Sequence, residues 1–155
     1  MELGRYSRKR IKEICTWERA QQDRIYQAGC FAIQVSATSG QMMYIGSCQK
    51  VESKYCVFTV TDNQYDPEYV YLMVQQALPE FLHKNQTGIN IQTDAFERLE
   101  LILHDDRMTQ MYVVEVMRLL DERQEEEAKT VRALKDFKKY HLAKMFPEGM
   151  RGGSR

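Results

Sequence analysis

The sequence predicts an α+β protein: a small domain of twisted, mostly antiparallel sheet with helices, followed by one long C-terminal helix. Three observations predict it. Apolar residues alternate with period two around Phe31, Ile33 and Val35, and two further short β-prone runs follow before residue 62. Behind Asp66-Pro67 the period changes to that of an amphipathic helix. From residue 107 to residue 146 the chain holds neither glycine nor proline, so nothing interrupts a final helix.

Taken in order, residues 8 to 26 mix charges with Ile11, Ile14, Cys15 and Trp17 near helical spacing, which predicts a first helix. Phe31, Ile33 and Val35 alternate with Ala32, Gln34 and Ser36, the pattern of a half-buried strand. Ser39-Gly40 supplies a turn and residues 42 to 46 return, giving a hairpin. Residues 55 to 61 (YCVFTVT) are aromatic and β-branched, a third strand. Asp66 then reads as an N-cap with Pro67 at the first helical position, where its missing N–H costs nothing. Val70, Met73, Val74, Ala77 and Phe81 form the apolar stripe, with a kink or break expected near Pro79. Residues 84 to 93 are a polar loop, Asp94 caps a single turn, and residues 99 to 103 (LELIL) make a short strand. Pro147 and Gly149 stop the last helix, and RGGSR reads as a flexible tail.

With 155 residues, one domain plus a helical extension is expected. No apolar run approaches membrane-span length and the N-terminus lacks the apolar core of a secretory signal, so a cytoplasmic protein of bacterial type without membrane contact is expected. Cys15, Cys30, Cys48 and Cys56 lack metal-site spacing, and His83, His104 and His141 stand apart. No catalytic group, metal or cofactor is therefore expected. The 22 basic and 22 acidic residues cancel, which weighs against a crude polyanion binder. Their distribution is less even. Residues 1 to 12 carry five cations against Glu2, residues 121 to 127 five acids against Arg123, and residues 129 to 144 six cations against Asp136.

A helix of about 40 residues spans roughly 60 Å, more than the small domain before it can cover. Its apolar residues Val113, Met117, Leu120, Val131, Leu134, Phe137, Leu142 and Met145 are therefore assigned to a partner interface. The alternative is a helical hairpin folded back at the acidic stretch.

Several segments, in order, resemble one family. Residues 66 to 72 (DPEYVYL), 85 to 91 (NQTGINI) with 96 to 103 (FERLELIL), Gln110 with Val113, Val114, Met117, Leu120 and Asp121, Lys138 and Lys139 with 142 to 146, and the opening 11 to 15 (IKEIC) are similar to specificity subunits of type I restriction–modification systems. His104-Asp105-Asp106 stands where that family has a proline, and the segment before Asp66 is short for it. The resemblance implies a target-recognition-like domain over 1–107, a dimerisation or coiled-coil helix over 108–147 and a tail over 148–155. It also implies a non-catalytic module that reads a bipartite, sequence-specific site on double-stranded DNA and docks a methyltransferase subunit. Such a half pairs with its own copy or with another specificity subunit. The alternative is a protein-interaction relic or regulator of such a system that reads no DNA.

On either footing, DNA would be read by amides, hydroxyls and guanidiniums at base edges and by Lys and Arg at phosphates. The polar loop offers Lys84, Asn85, Gln86, Thr87, Asn90 and Gln92; the hairpin tip offers Thr38, Ser39 and Gln41 with Lys50 and Lys54; the N-terminus offers Arg8, Lys9 and Arg10. A rival pattern, Gly29-Cys30-Phe31 with Tyr44-Ile45-Gly46, Lys54 and Glu115, resembles a degenerate GIY-YIG nuclease. Phe31 lacks the hydroxyl that chemistry needs, and Lys54 lacks the guanidinium fork.

Overall fold

The structure is a computed structural model that describes residues 4–36, 40–85, 88 and 90–146. Residues 1–114 and 115–155 form two compact units. The first opens with β1 (Tyr6–Arg10), a one-turn helix α1 (Ile11–Ile14) and β2 (Cys15–Arg19). It continues through β3 (Ile25–Tyr26), β4 (Phe31–Gln34), β5 (Met42–Tyr44), β6 (Gln49–Lys50) and β7 (Tyr55–Val60). Helix α2 (Pro67–Asn85), a 3₁₀ segment (Thr93–Arg98), β8 (Glu100–His104) and the start of α3 (Arg107–Met145) complete it. All strand pairs are antiparallel: a four-stranded sheet ordered β2-β7-β4-β5, a ribbon of β1 with β8, and a ribbon of β3 with β6.

The helix expected over residues 8 to 26 is not formed. Ile11 and Ile14 do share a helical face, but for a single turn. On either side the chain is extended, because each flank has a distant strand to complete: Arg8 pairs with Ile102 across β1–β8, and Trp17 pairs with Phe58 across β2–β7. Long-range pairing overrides the local spacing here.

Strand β4 is not half-buried either. Phe31 and Ile33 face one core, while Ala32 faces a second, with Tyr26, Ile45, Val51, Tyr55 and Val57. The first core lies between the sheet and α2, where the aromatic rings run in contact. Phe58 stacks on Phe31 at 5.2 Å and on Trp17 at 5.6 Å, and meets Phe96 edge-on at 5.1 Å. Quadrupole-matched contacts of this kind add to the area they bury.

Helix α2 begins as expected: Asp66 Oδ1 accepts the N–H groups of Glu68 at 3.0 Å and Tyr69 at 3.2 Å. It runs through Pro79 without a break, and Pro79 and Gln75 are both exposed. The carbonyl of Gln75, which loses its helical donor, therefore sits on the solvent side. The buried stripe also includes Tyr69, Leu78 and Leu82, whereas Met73 and Ala77 are only partly buried. Asp94 is not a cap. The extended Gln92 precedes the 3₁₀ turn, and Asp94 is exposed within it.

α3 is one helix through the acidic stretch, so the fold-back alternative is excluded. Its first turns are fastened by Gln110, which is completely buried. The Gln110 side chain accepts the Asp66 N–H at 2.9 Å and donates to the carbonyls of His104 at 2.9 Å and Gln64 at 3.3 Å. Tyr69 completes the cluster: its hydroxyl accepts the His104 N–H at 2.9 Å and lies 2.8 Å from His104 Nδ1. In the second unit, every residue from 121 to 146 is exposed.

Candidate nucleic-acid interface

Two of the three polar clusters meet at Val35. Its N–H donates to the Lys54 carbonyl at 2.9 Å, and its own carbonyl accepts the Ile91 N–H at 2.9 Å. The turn before β7, the end of β4 and the segment around Asn90 are thereby held together. Gln41 joins them by accepting the Gln34 N–H at 2.8 Å through its backbone. Gly40 has φ +76°, and a Cβ there would lie 2.6 Å from Leu82 Cδ1. The hairpin tip therefore presses onto the last turns of α2, next to Lys84 and Asn85, and only glycine allows that approach.

Those last turns also form one wall of an open groove of about 410 Å³. Ala77, Glu80, Phe81, Lys84 and Asn85 face Arg8, Arg98, Leu99, Glu100 and Ile102 across it. Glu100 holds two guanidiniums loosely, Arg8 at 3.5 Å and Arg10 at 3.9 Å. Lys84 bonds to Glu80, and that hydrogen bond holds the Glu80 carboxyl below the usual carboxylate range. Arg98 makes no ion pair or side-chain hydrogen bond among the described residues. Four cations here face two carboxylates. Exposed pairs this long are weak, so the guanidiniums are free to turn to a phosphate.

The remaining candidates fall elsewhere. Arg8-Lys9-Arg10 is not one patch. Arg8 and Arg10 share the exposed face of β1, while Lys9 lies opposite Leu101 on the other face. Lys50 is on the β3–β6 ribbon, 3.6 Å from Asp23. Lys54 is paired with Glu52 at 2.8 Å, and that hydrogen bond raises its ammonium above the ordinary lysine value. Gln92 is exposed, and its carbonyl accepts the Ala95 N–H at 3.0 Å. Thr38, Ser39, Gln86 and Thr87 lie outside the described residues.

Two residues were not foreseen from sequence. Arg98 was read only as part of an apolar-strand motif, and its position one residue before β8 was the available signal. Arg19 donates to the Ser53 carbonyl at 3.0 Å and the Ser36 hydroxyl at 2.8 Å, tying the same two turns together.

Among the interface residues assigned on the long helix, Leu120, Val131, Leu134, Phe137, Leu142 and Met145 are exposed and Met117 is half-buried. Val113 is a correction: it packs against the first core, so its apolar surface is already used within its own unit.

The nuclease-like motifs do lie side by side, Phe31 pairing with Tyr44. Phe31, however, is wholly buried in the first core, and Tyr44 packs on Tyr71 at 5.5 Å. Cys15 and Cys56 are buried, which pushes both thiols up to about 12 and leaves them without nucleophilic thiolate at neutral pH. Among the described residues no group of His, Cys, Asp and Glu is placed to hold a metal, and no helix is long and apolar enough to cross a membrane.

No protein-family model and no curated protein matches the chain. Solved structures do. A type I restriction–modification S subunit from M. genitalium superposes with a TM-score of 0.71 at 12% identity, covering 97% of this chain and 48% of its own. A chain from a structure on complex assembly and conformational transition of the type I R-M system gives 0.63 at 13% identity, covering 85% and 41%. The HsdS subunit from Thermoanaerobacter tengcongensis gives 0.59 at 13% identity, covering 83% and 39%. The chain thus has the α+β fold of these S subunits, with a long C-terminal helix, and spans less than half the length of each.

Proposed function

We propose that this chain is one half of a specificity subunit, a non-catalytic module that reads part of a bipartite DNA site for a type I restriction–modification system. The observation that carries the reading is the near-complete match of head and helix together to less than half of an S subunit. Residues 1–107 act as the recognition domain. The groove cations Arg8, Arg10, Lys84 and Arg98 take phosphates, while Gln41, Asn85, Asn90 and Gln92 supply amides near base edges.

Residues 108–147 pair with a second specificity helix and dock a methyltransferase subunit. A rigid helix of fixed length then sets the spacing of two heads along the duplex, and a two-fold pair favours a palindromic site. The protein works in the cytoplasm, where such DNA is found.

A second reading, an interaction protein that occupies a specificity helix without reading DNA, is favoured by the zero net charge and by the carboxylates Glu80 and Glu100 inside the groove. Gel shifts with the cognate methyltransferase, together with methylome sequencing of a deletion strain, separate the two. Loss of one bipartite methylated motif on deletion, and weaker binding by Arg98→Ala, are expected. An unchanged methylome with no DNA affinity overturns recognition and leaves the second reading.

A further inference from the structure

We infer that the exposed seam of α3 is built to pair with the same seam of a second copy of this chain, antiparallel, about a two-fold axis between Arg132 and Ala133. This rests on the pairing part of the proposed function and adds the identity of the partner and the register.

The seam follows alternating steps of four and three residues: Leu120, Gln124, Glu127, Val131, Leu134, Lys138, His141, Met145. That is the spacing of two interleaved heptad positions facing a partner helix, over about 38 Å. All eight side chains are exposed, with Leu120 at 51%, Val131 at 49%, Leu134 at 63% and Met145 at 68%. The order of chemistries reads apolar, amide, acid, apolar, and then apolar, base, imidazole, apolar. It is its own complement when reversed.

About the stated axis, Val131 meets the partner's Leu134 and Leu120 meets the partner's Met145. Glu127 meets the partner's Lys138, and Gln124 meets the partner's His141. Each layer occurs twice, and no layer sets a charge against an apolar group. On the flank, Glu125 lies across from the partner's Lys139. The whole acidic block, 121 to 127, falls opposite 138 to 144, which holds three lysines and no acid.

Alternative pairings lose this match. Sliding by one heptad in one direction sets Leu120 against Lys138 and Gln124 against Leu134. Sliding in the other sets Leu134 against Lys138 and Val131 against His141. A parallel pair in register opposes Glu127 to Glu127 and Lys138 to Lys138. Burying a charge against apolar surface, or against its like, costs far more than the matched layers do, so the polar positions select one orientation and one register. Glu127 already accepts Arg123 at 3.2 Å on its own helix, an exposed pair that leaves its second oxygen for the partner.

The test uses the full chain alone, without DNA or methyltransferase, so self-association can fail while DNA recognition stands, and the reverse. Sedimentation equilibrium from nanomolar to high micromolar concentration is expected to show a monomer–dimer equilibrium. Glu127→Lys and Lys138→Glu, each broken twice per dimer, are expected to raise Kd about tenfold. The double variant is expected to return to within about threefold of the original. Arg123→Ala, which removes only the intrahelical pair, leaves Kd unchanged. In a Cys48→Ser background, mixed Leu120→Cys and Met145→Cys chains are expected to cross-link to each other and not to themselves. A chain monomeric throughout, a double variant no tighter than the singles, or a Leu120→Cys chain that cross-links to itself overturns the proposal. Circular dichroism of each variant confirms that the helix is intact.

Discussion

Two phenylalanines show how differently the two units use the same residue. Phe58 is wholly buried, between Phe31, Trp17 and Phe96. Phe137 is 63% exposed, with His141 at 4.2 Å on its own helix as its ring neighbour among the described residues. In the first unit apolar periodicity is spent on closing a core. In the second it is left open, so its stabilisation has to come from another chain.

The largest effect that can break this comparison is therefore on stability. Phe58→Ala is expected to lower the unfolding free energy by about 3–5 kcal/mol, since it removes a ring that the aromatic cluster cannot collapse to replace. Phe137→Ala, measured by urea denaturation of dilute protein, is expected to change it by less than about 0.5 kcal/mol. Comparable losses at both sites would mean that the helix is covered within its own chain.

The glutamines sharpen the same contrast. Gln110 is completely buried and satisfies one N–H and two carbonyls from three other segments, whereas Gln124 is exposed. Gln110→Ala would leave the Asp66 N–H and the His104 carbonyl unpaired, at a cost of about 2–3 kcal/mol. Gln124→Ala is expected to leave the unfolding midpoint of dilute protein where it was. Equal midpoints for the two variants would show that water replaces the glutamine amide in the cluster.

The parts that were legible from sequence were those whose cause is local. The period-two run at Phe31, the Asp66-Pro67 helix start and the unbroken run into α3 each carry their own geometry. What stayed hidden depends on partners far along the chain. β1 and β2 look helical until β8 and β7 are there to pair with them, and the two-residue strands β3 and β6 are too short to show a period. The candidate site divides in the same way. Polar loops at 41, 84–85 and 90–92 were visible as compositions, but their convergence is set by the bonds at Val35 and the close approach of Gly40 to Leu82. The basic triplet at residues 8 to 10 shows the reverse error. A cluster in sequence becomes two faces once the strand alternates.

The smallest effect concerns how α3 starts. Asp106 Oδ2 accepts the Thr109 N–H at 2.9 Å and the Thr109 hydroxyl at 2.7 Å. The hydroxyl bond, then the backbone bond, hold its carboxyl below the ordinary aspartate value. A carboxyl with a depressed folded-state pKa binds fewer protons when folded than when unfolded. Its contribution is therefore complete above the ordinary aspartate value and is lost as pH falls through the lowered one. Carboxyl-resolved NMR is expected to give Asp106 a midpoint below that of an unstructured aspartate. Asp106→Asn keeps a capping oxygen but cannot titrate. Its acid unfolding should lose the part of the pH dependence that Asp106 supplies, while exposed Asp121, in the body of the same helix, should lose none when changed to Asn. An Asp106→Asn profile that overlays the original would show that the cap is not formed in solution. The start of α3 would then be held by the Gln110 cluster alone.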